Sequence, residues 1–259
     1  MRQGKQLACH PSDTALSRFR YPGALASEDV KTTKRRVRSA AVLALVWALG
    51  SGAVSLAAPS AAEPAAAGQP TQWIVVGVPA KDATTGTLTA FQKIGQQWKV
   101  VLGPTKAKVG ELGIGVPADG VYRTPEGTFT FDQAFGRQPD PGTKMPYFQA
   151  TDEDWWDEDA ASPTYNTHVR SVDEPSSITE NLYDSGPVYD YAVNIAVNPQ
   201  RIPGKVSGIF LHVTDGNPTW GCVAIGREEM RSVLTWLDPA AQPRITIGVG
   251  EPTLVAARS

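Results

Sequence analysis

The sequence predicts a mainly β fold of the β-rich α+β class, and three observations carry that expectation. Short runs rich in β-branched and aromatic residues recur between glycines, glycine and proline together supply 45 of 259 residues, and only one segment repeats its apolar residues with helical period. The strand candidates are WIVVGV (73–78), GTLTAFQKI (86–94), QWKVVLG (97–103), GTFTF (127–131), YAVNIAV (191–197), GIFLHV (208–213) and RITIGV (244–249). GIFLHV is expected to bury alternate residues. The helix candidate, REEMRSVLTWL (227–237), sets Met230, Val233, Leu234 and Leu237 on one face. Glu228 and Glu229 lie in its first turn, and Asp238-Pro239 closes it.

Between these elements, residues 132–187 are polar and weakly periodic. They include DEDWWDEDAASPTYN (152–166), where six acidic residues flank Trp155 and Trp156. A solvated acidic loop is the plain expectation. Two adjacent indoles expose much apolar area in water, so they either pin the loop to the domain or line a groove.

The net charge of −2 hides an asymmetry. Residues 1–62 carry nine basic and three acidic side chains, which leaves 15 basic and 23 acidic beyond them. The acidic remainder has no basic patch and is not expected to bind nucleic acid. The basic excess is local: KRRVR (34–38) precedes the apolar run AAVLALVWALG (40–50), and small residues follow up to Ser60-Ala61-Ala62. That order reads as a secretory signal cleaved near Glu63, with an uncleaved membrane anchor as the alternative. The expectation is an exported, extracellular protein with no stable membrane anchor. The chain divides into an N-terminal extension and signal (1–62), an Ala/Pro/Gly-rich linker (63–72), a main folded domain (73–250) and a tail (251–259). Residues 1–30 precede the usual start of such a signal, so translation is expected to begin lower, near Val30. Cys9 would leave with the leader, and the exported chain would then keep one cysteine and no internal disulfide.

That remaining cysteine lies in FLHVTDGNPTWGCVAI (210–225), where His212 and Cys222 flank a turn-rich loop. Asp215, Gly216, Asn217 and Pro218 are successive turn formers, so the chain is expected to reverse after His212 and carry Cys222 back towards it. A nearby imidazole can convert a thiol of pKa about 8.5 into a thiolate nucleophile. Gly221 lets the backbone approach closely, and the N–H groups of Gly221 and Cys222 can point at a developing oxyanion. Taken singly, a buried cysteine and a core histidine at a strand end are ordinary packing residues. Taken jointly, with Gly221 and the turn between them, they point to nucleophilic catalysis. His168 is the one further histidine after the leader, so no metal is expected. No cofactor is expected either. Papain-like enzymes place cysteine before histidine, and caspase-like ones have a longer gap and a Q-A-C signature, so both classes fit poorly.

His212 followed by Thr219-Trp220-Gly221-Cys222 resembles the active-site signature of YkuD-type L,D-transpeptidases. DGVYRTPEGTF (119–129), with Thr124-Pro125-x-Gly127-x-Phe129, resembles the element that opens the same catalytic domain. The AFG (134–136), PGTKMPYFQ (141–149), DWW (154–156) and YDYAV (189–193) segments are similar to exported actinobacterial members, and the likeness spans roughly 73–250. It implies a mixed β-sandwich with one principal helix, acting on peptidoglycan tetrapeptide stems as a cysteine-dependent acyltransferase. By the same resemblance Cys222 is the nucleophile, His212 the general base, and Gly221 with Cys222 the oxyanion hole. Thr219 and Trp220 would orient the loop or substrate, and Trp155, Trp156 and Tyr147 are candidates for a substrate groove. Carbapenems are the implied inhibitors. The chain departs from the pattern at Trp220, where many relatives carry a second histidine. It departs again at Val223-Ala224-Ile225, which replace polar residues, and in the short gap from His212 to Cys222. Two other readings stay open: an L,D-carboxypeptidase that gives the same thioester to water, and a non-catalytic wall-binding module.

Overall fold

A computed structural model describes residues 69–250. The expected leader and cleavage site, Cys9, most of the expected linker and residues 251–259 lie outside the described residues.

Each sequence-marked run forms its element. In chain order the strands are β1 (Gln72–Val78), β2 (Thr85–Ile94), β3 (Gln97–Lys108), β4 (Ile114–Gly115), β5 (Thr124–Pro125), β6 (Gly127–Gly136) and β7 (Tyr147–Gln149). They continue as β8 (Asp154–Asp157), β9 (Thr167–Arg170), β10 (Thr179–Asn181), β11 (Ala192–Ala196), β12 (Phe210–Val213) and β13 (Val223–Ile225). Helix α1 (Arg227–Trp236) precedes β14 (Arg244–Val249). The mainly β expectation with one α-helix therefore holds among the described residues.

Nine strands form a mixed sheet in the order β11-β12-β13-β3-β2-β1-β14-β6-β7. The first half of β6 pairs with β14, and its opposite edge pairs with β11 from Thr130 to Phe135. The sheet thus folds back on itself through one long strand and encloses a core. That core includes Ile74, Leu88, Leu211, Val223 and Ile245, with Met230, Val233 and Leu234 of α1 packed into it. The i, i+3, i+4 spacing of these helical residues is what presents one apolar face to the sheet.

The 152–166 stretch departs from the expected loop. Residues Asp154–Asp157 form β8, the centre of a second sheet ordered β10-β8-β9. Asp154 and Asp157 are buried, not solvated. The Asp157 carboxylate accepts from the hydroxyls of Ser162, Thr164 and Ser176. Asp154 accepts from the Thr151 N–H and hydroxyl and bonds His168. Buried carboxylates with this many donors fix the fold of the segment, which a reading of charge density cannot reveal. The small sheet caps an aromatic cluster of Phe135, Trp156, Tyr189 and Phe210.

The expectation of alternate burial in GIFLHV also gives way, since all four residues of β12 are buried. Leu211 and Val213 enter the main core, while Phe210 faces the aromatic cluster, so both faces of this strand are covered.

Candidate active site

The site lies where β12 and β13 run side by side. The expected reversal after His212 occurs, but it does not make a hairpin. The chain loops through 214–222 and then runs parallel to β12, with Leu211 opposite Val223 and His212 opposite Ala224. Parallel crossovers usually need a dozen or more residues. This shorter loop is held by a neighbouring segment: the Thr219 N–H donates to the Val109 carbonyl and the Glu111 N–H to the Thr219 carbonyl, each near 2.9 Å.

Side chains alternate between sheet faces. Because Leu211 and Val223 enter the main core, Phe210, His212 and Cys222 fall on the other face, towards the aromatic cluster. The observed contacts agree. Cys222 Sγ lies 3.2 Å from the Phe210 amide nitrogen, whose N–H points at it, and 3.4 Å from the Gly208 carbonyl oxygen. The His212 ring meets Tyr189 edge-on, with centroids 5.4 Å apart. Both His212 and Cys222 are fully buried. Cys222 is disulfide-bonded in this structure, and the chain's other cysteine lies outside the described residues; the thiol chemistry considered below belongs to the reduced sulfur.

His212 Nδ1 is 2.9 Å from the Val213 carbonyl oxygen. A carbonyl only accepts, so the proton sits on Nδ1 and the lone pair on Nε2. The backbone carbonyl beside His212 thereby fixes its tautomer, a partner the sequence could not name.

The backbone of Cys222 is held from two sides. Its carbonyl accepts from the Thr219 hydroxyl at 2.6 Å and from the Thr124 hydroxyl at 3.0 Å. The Thr124 oxygen in turn accepts from the Gly110 N–H at 2.8 Å. Thr124 belongs to the Thr-Pro-x-Gly element matched in the sequence, yet its role at the cysteine emerges only from the fold. The Gly221 N–H lies 3.3 Å from the Thr219 hydroxyl oxygen. Gly221 has φ of +139°, and an added Cβ would come within 3.0 Å of Ile209 Cδ1. Only glycine fits this conformation without strain.

Trp220 stacks on Tyr122 with ring centroids 5.2 Å apart and planes 21° from parallel. The pair walls a cavity of about 70 Å³ whose other sides include Asp119, Glu158, Gly208 and Ile209. A larger cavity of about 200 Å³ lies between β6, β9 and β11 and is bordered by Gln133, Trp156, His168 and Asn194. Trp156 is buried, with its ring edge-on to Phe210 at 5.0 Å and its indole N–H donating to Asn166 at 3.1 Å. The half-buried Trp155 donates to the Ser171 carbonyl at 2.9 Å. Tyr147 donates to the Gln138 carbonyl at 2.7 Å and borders neither cavity. The hydroxyl of Tyr147 is held far above its ordinary range, chiefly by burial and then by nearby Tyr191 and carboxylates.

Glu158 is the residue at this site that the sequence did not single out. Burial, then Glu180, Asp119 and Asp157, push its carboxyl well above the ordinary range. Tyr189, raised by burial and by Glu180, donates to Glu180 at 3.0 Å. No cluster of three or more metal-ligating side chains occurs among the described residues.

The sequence model of the YkuD family, the L,D-transpeptidase catalytic domain, matches residues 71–251. The chain belongs to this family. No curated protein sequence matches it. Among solved structures it is similar to the helical cell shape determining protein Pgp2 from Campylobacter jejuni. The identity is 12% and the TM-score 0.35, over 70% of this chain and 48% of that one. The chain therefore spans about half the length of that structure. Membership in the YkuD family agrees with the strand-rich fold and its single α-helix, and among the described residues no helix is long and apolar enough to cross a membrane.

Proposed function

We propose that the protein is an exported peptidoglycan L,D-transpeptidase in which Cys222 is the nucleophile and His212 its general base. The observation that carries this reading is the register of β12 and β13, which sets both side chains on one face of adjacent strands within a YkuD domain. The Nδ1–H of His212 is committed to a backbone carbonyl, so the opposite nitrogen is the one that exchanges protons. The Phe210 N–H directed at Sγ has the polarity that a thiolate requires.

In the first half-reaction Nε2 takes the thiol proton, and the thiolate attacks the carbonyl at the L-centre of the donor stem's diamino acid. The oxyanion faces the N–H of Cys222, joined by the Gly221 N–H once it leaves the Thr219 hydroxyl to which it donates at 3.3 Å. The amide bond to the terminal D-Ala breaks as His212 returns the proton to the leaving amine, and a thioester remains on Cys222. In the second, the side-chain amine of an acceptor stem attacks the thioester, its proton passes to His212, and the thiol is regenerated. Thr219 and Thr124 hold the Cys222 carbonyl and so orient the peptide units that donate to the oxyanion. Trp220 flanks the nucleophile through its stack on Tyr122. Trp155, Trp156 and Tyr147 remain candidates for contact with larger stems.

The test is intact-mass spectrometry of the reduced full chain after exposure to a carbapenem, with the adduct located by peptide mapping. One adduct at Cys222 is expected in the wild type and none there in Cys222→Ala; an unmodified Cys222 in the wild type overturns the reading. A muropeptide digest then separates transfer, which yields dimers, from hydrolysis, which yields tripeptides alone.

A further inference from the structure

Resting on the reading above, we propose that the cavity between the Tyr122–Trp220 stack and the carboxyls of Asp119 and Glu158 binds the side-chain ammonium of the donor stem's diamino acid. Four observations support this placement. The cavity adjoins the nucleophile, because Gly208 borders it and the Gly208 carbonyl oxygen is 3.4 Å from Cys222 Sγ. Two aromatic rings and two carboxyls meet there, and among the described residues no lysine or arginine lines it. Aromatic faces and carboxylates each attract a cation, and together they define an ammonium cage. The volume of about 70 Å³ holds an ammonium head group with a water but excludes a sugar ring.

The fourth observation concerns Gly208. It adopts φ of +61°, and a Cβ there would overlap Glu158 Oε1. The bare glycine lets the Glu158 carboxyl lie against the segment that leads into β12, the strand carrying His212. Asp119 is fixed in place, accepting from the Tyr165 hydroxyl at 2.8 and 2.9 Å and from the Gly204 N–H at 2.9 Å. Glu158 sits among Glu180, Asp119 and Asp157, and a cation entering the cavity relieves the repulsion that those groups exert on it. The geometry suits the donor rather than the acceptor. An acceptor amine must reach the thioester neutral, whereas an ammonium held by carboxylates keeps its proton and cannot attack. The donor's side-chain amine takes no part in the first half-reaction and is available as a handle.

The experiment compares two tetrapeptide donors that differ only in acetylation of the diamino acid's side-chain amine. Binding to the full chain carrying Cys222→Ala is measured by calorimetry, and acylation of the reduced wild type is followed by mass. Acetylation is expected to weaken binding on the order of tenfold and to lower the acylation kcat/KM by a similar factor. Introducing Glu158→Gln, or independently Trp220→Leu, is expected to bring the ratio between the two donors close to one. Equal binding of both donors, or an undiminished ratio in both variants, overturns the proposal. Failure of the parent reading looks different: the wild type then forms no thioester with either donor, while calorimetry still reports whether the cavity discriminates them.

Discussion

Replacing Thr124 by valine removes one hydroxyl at nearly constant volume from a fully buried position. In the wild type that oxygen accepts the Gly110 N–H at 2.8 Å and its hydroxyl donates to the Cys222 carbonyl at 3.0 Å. Valine leaves the Gly110 N–H without this acceptor in a buried place, which costs about 1–3 kcal/mol. The Cys222 carbonyl keeps its 2.6 Å bond from Thr219, so its share of the loss is smaller, about 0.5–1.5 kcal/mol. Part of the total is offset by burying an extra methyl, giving a net destabilisation of about 2–3 kcal/mol. Urea denaturation of Thr124→Val should show a lower midpoint with an unchanged slope. Thermal unfolding should begin roughly 4–12 °C lower for a domain of this size. Thr124→Ser keeps the hydroxyl and should recover most of the loss. A Thr124→Val protein within about 0.5 kcal/mol of wild type would show that Thr124 does not anchor the cysteine loop.

Gly208→Ala should cost about 1–2 kcal/mol for a left-handed alanine and should swing the Glu158 side chain aside, read as a lower urea midpoint; wild-type stability would contradict the proposed packing. Glu158 titrates in the folded state well above its ordinary value of 4.5. Between those two values the folded state holds a proton that the unfolded state has lost, so this residue's contribution to stability falls as pH rises. Glu158→Gln carries no such titration. Its stability relative to wild type should therefore improve as pH rises above the ordinary value of 4.5 in paired urea titrations, and a constant or shrinking gap would refute the placement of Glu158 among Glu180, Asp119 and Asp157.

The parts of the fold that the sequence announced are those whose side chains obey one rule. RITIGV and the 73–78 run are rich in β-branched residues, and α1 repeats its apolar residues at helical spacing, so each was readable from pattern alone. The 152–166 stretch was misread because Asp154 and Asp157 are buried and satisfied by hydroxyls brought from several residues away. A carboxylate that staples a turn is indistinguishable in sequence from one that faces water. The His212 and Cys222 pair was visible through its rarity and its resemblance to a signature, but their geometry was not. DGNP signals a change of direction and carries no information on whether the returning strand runs antiparallel or parallel. Glu158 gave no signal, since its position depends on a glycine 50 residues later in the chain.

The pairing of β1 with β14 sets Trp73 beside Arg244, so the earliest and latest strands of the domain are direct neighbours, and β14 lies wedged between β1 and β6. A polypeptide growing from its N-terminus holds that slot open until its final strand emerges. Among the described strands, the main sheet can therefore close only once β14 has been made, after β12, β13 and α1.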